Sequence, residues 1–201
     1  MGNSPIKSKT ENAMSEKDAI YNRRAVRDYL PNKVDKKLIQ ILLDAAVHAP
    51  TAMHEEPWGF VIIQDKNLLN RLSDSAKTIF MNELHGSMVP QTRHMQEILH
   101  QPEFNVFYNA STLIVIYSKF QGKFVDADCW LAAENLMLTA CANGLGTCVI
   151  GFAVPALNSQ QWKNELNIPQ DMIAIAPIIV GFPASETPPV PRKPPEVITW
   201  K

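Results

Sequence analysis

In this chain of 201 residues the groups best suited to chemistry are cations. The stretch "YNRRAVRDYLP", residues 21–31, sets Arg23, Arg24 and Arg27 within five positions. On a helix, Arg23 and Arg27 stand one turn apart with Arg24 beside them, so the three can converge on one multivalent anion through charge-assisted hydrogen bonds. The same pattern also suits a solvated helix face. A second basic pair, Arg192 and Lys193, lies in a proline-rich tail and can meet the first cluster around one phosphate.

Other catalytic machinery is sparse. His48, His54, His85, His94 and His100 show no metal-ligand spacing and no H-E-x-x-H, and there is no G-x-S-x-G elbow. Cys129, Cys141 and Cys148 are odd in number and form no C-x-x-C pair, which argues against a disulfide framework or a zinc site. The glycines of "GLGTCVIG", at 144, 146 and 151, do not fit G-x-G-x-x-G, and the residues after them read as strand. A nicotinamide coenzyme, if used, is therefore not expected in a Rossmann unit. No Walker loop is present. Chemistry of any difficulty would need a borrowed cofactor, and no protein residue is expected to be catalytic by itself.

Composition narrows the classes further. With 46% hydrophobic and 19% charged residues the chain reads as globular and soluble. Its 19 Lys and Arg against 20 Asp and Glu provide no global field for a non-specific nucleic-acid binder. Residues 1–19 are polar, Ile6 stands where a myristoylation signal needs Ser or Thr, and the longest apolar stretch, "MIAIAPIIVGFPAS", is short and contains two prolines. The expectation is a cytoplasmic protein with neither nucleic-acid nor membrane partner.

The elements that must position these groups follow from periodicity. Residues 1–14 read as a loose tail and 15–201 as one domain. A helix is expected from Ser15 to about Asp28, ended by Pro31. In "DKKLIQILLDAAVHAP" Asp35 can cap a helix whose apolar face is Leu38, Ile41, Leu42, Ala45 and Ala46. "PWGFVIIQD" and "STLIVIYS" read as buried strands flanking a polar helix from about Asn67 to Leu84, with helical pieces forming a mobile cover from His85 to Tyr108. Residues 125–143 make a helix that is apolar nearly all the way round, with Asp126, Asp128, Glu134, Asn135 and Thr139 as exceptions, suited to a core or a subunit interface. "GLGTCVIGF" is a turn and strand, "PALNSQQWKNEL" a helix, and "MIAIAPIIVGFP" the last core strand. The tail from 181 to 201 holds six of the fifteen prolines and ends in the apolar "EVITW", so it reads as an extended arm that packs on something.

Four motifs in order, "RRAVRDY", "AAVHAPTAMHEEPWGFVII", "AAENLMLTACANGLGTCVIG" and "GFP…PRKPPEVITW", resemble the nitroreductase family of flavoproteins from about residue 15 to 201. The resemblance implies an α+β fold with a central, mainly antiparallel sheet flanked by helices. It further implies a homodimer with an exchanged C-terminal arm, FMN as cofactor and NADH or NADPH as donor. The family's R-R-S-x-R pattern falls on Arg23, Arg24, Ala25 and Arg27, which would clamp the FMN phosphate, with Arg192 and Lys193 closing on the same group. Its A-P-S segment falls on Ala49, Pro50 and Thr51, followed by Ala52, and would reach the partner's flavin. Val149, Ile150 and Gly151 would pass the flavin N5 edge with a backbone N–H.

Where many nitroreductases read N-x-Q-P-W, this chain has "HEEPW", with His54 and Glu56 as the departures. That form is similar to the iodotyrosine deiodinase branch, which is expected to place a hydroxyl near N5 and a Glu, Tyr, Lys lid over its substrate. Residues 149–151 carry no hydroxyl, and no E-x-x-x-Y spacing occurs between 75 and 108. The reading is ping-pong hydride transfer to a flat, electron-poor nitroaromatic or quinone. Reductive dehalogenation and non-catalytic flavin storage are the alternatives.

Overall fold

The structure, a computed structural model, describes residues 14–84, 97–99, 101 and 103–201. Its frame is four strands: β1 Trp58–Ile63, β2 Thr112–Ser118, β3 Gly146–Val149 and β4 Ile173–Gly181. They form one antiparallel sheet in the order β1-β2-β4-β3. Every residue of β2 is buried, because alternate side chains feed two different apolar clusters. Ile114 and Ile116 join one, while Leu113, Val115 and Tyr117 join the other. Full burial of each large aliphatic side chain stabilises by roughly 1.5–3 kcal/mol.

Helices cover both faces. On the first cluster lie α2 (Lys36–Val47) and α4 (Val125–Ala142), and α1 (Glu16–Asn22) packs on α4. On the second lie α3 (Lys66–Leu84), α5 (Val154–Asn158) and α6 (Gln160–Glu165). Asp35 caps α2 as its sequence predicts, accepting from the Lys37 and Leu38 amides at 2.8 and 2.9 Å. Among the described residues no helix is long and apolar enough to cross a membrane.

Several sequence expectations give way to tertiary context. Helix α1 stops at Asn22 rather than near Asp28, because residues beyond it pair with the sheet. On α2 the core face is Ile39, Leu42 and Ala46, and Ile41 is exposed. β1 is an edge strand, only partly buried. "PALNSQQWKNEL" breaks into α5 and α6 at Ser159, whose extended backbone lets its hydroxyl accept from the Trp162 amide at 3.3 Å. Most of the expected cover lies outside the described residues, His85, His94 and His100 among them, as do residues 1–13. Val106 and Phe107, within the expected cover, are instead core residues, with the Val106 amide donating to Ser73 Oγ at 3.0 Å.

Helix α4 buries one stripe, including Cys129, Ala132, Ala133, Leu136 and Ala140, and exposes Trp130 and Leu131 on the other side. Its apolar circumference is thus half covered by its own chain. The tail is exposed along residues 191–201, ending with Ile198 at 93% and Trp200 at 91% exposure.

Candidate functional site

The arginine segment is an extended strap laid across the end of the sheet. Ala25 bridges Thr147 in parallel, and the Val26 amide donates to the Thr147 carbonyl at 3.0 Å. Further on, Tyr29 pairs with Pro183, the Leu30 amide donates to Phe182 O at 2.8 Å, and the Ala184 amide donates to Asp28 O at 3.0 Å. Two glycines permit this approach. A Cβ on Gly146 would lie 2.7–2.9 Å from three atoms of Val26, and one on Gly181 would lie 2.8 Å from the Tyr29 ring. Gly146 and Gly181 face each other across β3 and β4. At least one glycine of "GLGTCVIG" therefore serves strap-to-sheet packing.

This geometry replaces the expected helical convergence of three arginines. Arg23 and Arg24 line an open cleft of about 520 Å³, together with Cys141, residues 144–147 and the tail residues Pro183, Ser185, Glu186, Thr187 and Pro189. Arg27 is not part of that lining. Its guanidinium lies 5.8 Å from the Tyr108 ring centre and beside the Cys148 thiol. Arg23 Nε is 3.6 Å from the Glu134 carboxylate on α4, while Arg24 Nη1 donates to the carbonyls of Tyr21 at 2.6 Å and Arg23 at 3.0 Å. Arg192 and Lys193 are exposed and make no hydrogen bond or ion pair among the described residues, but they follow Pro189, which lines the cleft.

Burial raises the thiol pKa of Cys141 and of Cys148 and outweighs the opposing pull of Arg23 and Arg24 on the first and of Arg27 and Arg23 on the second. Neither is a thiolate at neutral pH. The three cysteines are unpaired, and no His, Cys, Asp and Glu cluster among the described residues has metal-binding geometry.

Pro50, Thr51, Ala52 and His54 lie elsewhere, in the connection between α2 and β1, and do not line the arginine cleft. The backbone here is unusual. Met53, His54 and Glu56 hold φ of 53°, 58° and 45° without a glycine among them, a conformation costing on the order of 1 kcal/mol each. Met53 projects into solvent at 87% exposure. The segment is tied down by Asp128 of α4, 4% exposed, whose carboxylate oxygens accept from the Ala52 amide at 3.1 and 3.3 Å. The sequence reading missed Asp128 as a site residue. Its signal was a carboxylate interrupting an apolar helix, and Asn135, another such interruption, ties α4 to the last turn of α2 by donating to Ala45 O at 3.1 Å.

Past the end of β3, Ile150 is buried and its amide donates to Pro177 O at 2.9 Å, so it is not available to a ligand. Gly151 follows, exposed, with open space where a Cβ would stand. Of the expected N5-edge segment, Gly151 is the exposed residue, while Ile150 is buried.

Comparison with known proteins agrees with this architecture. The family model described as "Nitroreductase family" matches residues 20–182. A protein of Archaeoglobus fulgidus provisionally named NADH dehydrogenase/NAD(P)H nitroreductase is 27% identical over 172 residues, covering 83% of this chain and 84% of its own. The iodotyrosine deiodinase of Thermotoga neapolitana is 23% identical, covering 87% and 92%. The crystal structure of a Bacteroides fragilis nitroreductase with bound FMN superposes with a TM-score of 0.76 at 23% identity, covering 93% and 97%. The antiparallel sheet with helices on both faces is thus the nitroreductase-like fold, and the chain belongs to the nitroreductase family.

Proposed function

We propose that this protein is an FMN-dependent oxidoreductase that passes hydride from NADH or NADPH to a flat, electron-poor acceptor, a nitroaromatic or a quinone. One observation carries the reading: Arg23 and Arg24 on the wall of an open cleft, fixed by a strap that the sheet holds through backbone bonds. The cleft volume suits a small-molecule site, and the guanidinium donors left over after the Tyr21 and Arg23 carbonyls suit a phosphate dianion. The names of the relatives support the same cofactor and donor.

In this reading bound FMN supplies the hydride-carrying ring, and the protein supplies binding and orientation. Arg23 and Arg24 hold the phosphate. Arg192 and Lys193 close on it from the tail, whose preceding residues already line the cleft. Arg27, set apart beside Cys148 and Tyr108, brings positive charge to a different part of the site, where it favours the more negative reduced state. Gly151, exposed beyond β3, would offer the backbone donor at the ring edge. Donor and acceptor would use one face in turn, giving ping-pong kinetics, with water as the proton source.

The working unit is a homodimer with shared sites. Exposed Trp130 and Leu131 on α4, and Val197, Ile198 and Trp200 on the arm, are apolar surfaces that a second copy would cover. Residues 50–54 would then complete the neighbour's site. Deleting residues 188–201 is expected to shift the protein toward monomer in sedimentation and to release FMN together.

Anaerobic reduction of the purified protein by NADH or NADPH, followed by reoxidation with nitrobenzene, tests the assignment. Failure of either half-reaction with FMN bound would leave flavin storage as the better account. Reductive dehalogenation is the second reading, favoured by "HEEPW" and the Thermotoga relative. Residues 149–151 offer no hydroxyl, so 3-iodotyrosine is expected to be a poor substrate beside nitrobenzene.

A further inference from the structure

We propose that Asp128 is a positioning residue that locks the 51–56 segment in the strained form in which Thr51, Met53 and His54 are presented to an acceptor at a neighbouring subunit's flavin. The proposal rests on the functional reading above for the flavin and the acceptor. The lock itself rests on geometry alone.

Asp128 is a buried carboxylate with no cation paired to it among the described residues. It sits in the first turn of α4, where the helix dipole favours negative charge. Its hydrogen bond crosses 76 residues of sequence to the Ala52 amide. That amide is the last before the left-handed run begins at Met53. Neither the Met53 side chain, almost fully exposed, nor the exposed His54 and Glu56 buries surface that would offset the strain. Nothing else described within 51–56 ties the segment to the body except the Glu56 carbonyl, which accepts from the exposed Lys119 at 3.3 Å. The far end of the segment is fixed by buried Pro57, whose carbonyl accepts from the Lys119 amide at 2.7 Å. The carboxylate thus holds the near end, where the left-handed residues begin, and α4, rooted in the first apolar cluster, transmits the rigidity of the core to a solvent-facing loop.

Such a loop does not need strain to be a connection. A relaxed turn would join α2 to β1 equally well. The strained form has a purpose if the directions of Met53 and His54 matter, and the surface they shape is the wall against which a flat acceptor would stack. Asp128 would then set acceptor affinity without touching the acceptor.

The experiment compares FMN-loaded parent, Asp128→Asn and Asp128→Leu. Asparagine retains an oxygen that can accept from Ala52, whereas leucine does not. Amide exchange across residues 50–57 is expected to accelerate at least tenfold in the leucine variant and to stay within about threefold of the parent in the asparagine variant, with α4 protection unchanged. With NADH as donor and nitrobenzene as probe, KM for nitrobenzene is expected to rise about tenfold in Asp128→Leu, with kcat changed less than threefold, and to be largely restored in Asp128→Asn. Unchanged exchange in the leucine variant overturns the lock. Faster exchange with unchanged KM overturns the positioning role and leaves a structural tie. If the leucine variant fails to fold, a parent-like Asp128→Asn beside an Asp128→Ser variant with faster exchange and raised KM supports the proposal, and a parent-like serine variant overturns it. A parent that takes up no flavin refutes the proposed function, and with it the acceptor role, while the exchange comparison still decides the lock.

Discussion

Two irregular segments carry the proposed site, and they are held in opposite ways. The strap of residues 25–30 is embedded: its backbone pairs with Thr147, Phe182 and Ala184, and it lies in a groove that two glycines keep open. The segment 51–56 stands proud, strained at three residues and tied by the Asp128 carboxylate at its start and by Lys119 at its end. Where the proposed site would meet a phosphate with fixed charge, the fold uses many backbone bonds. Where the proposed wall faces outward, it uses a buried carboxylate at one end and Lys119 at the other, and accepts strain between them.

The largest effect should come from filling the strap's groove. Gly146→Val sets side-chain atoms against Val26 at distances already below 3 Å for a Cβ, and it is expected to destabilise the protein by about 3 kcal/mol in chemical denaturation and to abolish FMN retention. Gly151→Ala is the contrast. It meets nothing within 4 Å and should change stability by less than about 0.5 kcal/mol.

Next in size is the proposed cofactor clamp. Arg23→Ala or Arg24→Ala should weaken FMN binding by about 1.5–3 kcal/mol, the worth of a hydrogen bond to a charged group, as read by flavin fluorescence titration. Arg27→Ala should weaken it by a different route and shift the flavin potential downward, since its guanidinium stands apart from the cleft. Arg192→Ala should cost less than Arg23→Ala, because its side chain is exposed and unpartnered.

A smaller effect of opposite sign is expected in the strained segment. Met53→Gly removes a left-handed non-glycine residue and loses almost no packing, so stability should rise by roughly 0.5 kcal/mol, strain relief being partly offset by glycine's greater freedom when unfolded. The same change in the strap, at Val26, would instead remove a buried side chain and destabilise.

A last effect is confined to alkaline pH. Burial, and then the charges of Asp126 and Asp128, push the Cys129 thiol up to about 12 from 9.0. A pKa raised in the folded state gives stability that is complete below the unfolded value and is lost as pH rises from about 9 to about 12. Cys141 and Cys148 act in the same direction. Denaturation midpoints should therefore fall above pH 9, and Cys129→Ala should make that fall shallower without abolishing it.

The sequence made one of these segments far more legible than the other. The places of the strands and of α2 follow from period and from the Asp35 cap, because those signals are local, although the core face of α2 and the burial of β1 do not. The arginines were visible as chemistry, but their helix was not real: Val26 gains more by burying itself on Gly146 than by extending α1, and that pairing partner lies over a hundred residues away. The break at Ser159 was similarly hidden inside an amphipathic pattern that suits one helix or two. Strain at Met53, His54 and Glu56 left no trace at all, since no glycine marks it and the carboxylate that sustains it comes from α4.

The visible absorption spectrum of the desalted parent protein beside that of Arg23→Ala tests the central claim most directly. The account predicts flavin absorption retained by the parent after incubation with FMN and largely lost by the variant, with both folded by circular dichroism. A parent that remains colourless, or a variant that holds FMN as tightly as the parent, would contradict it.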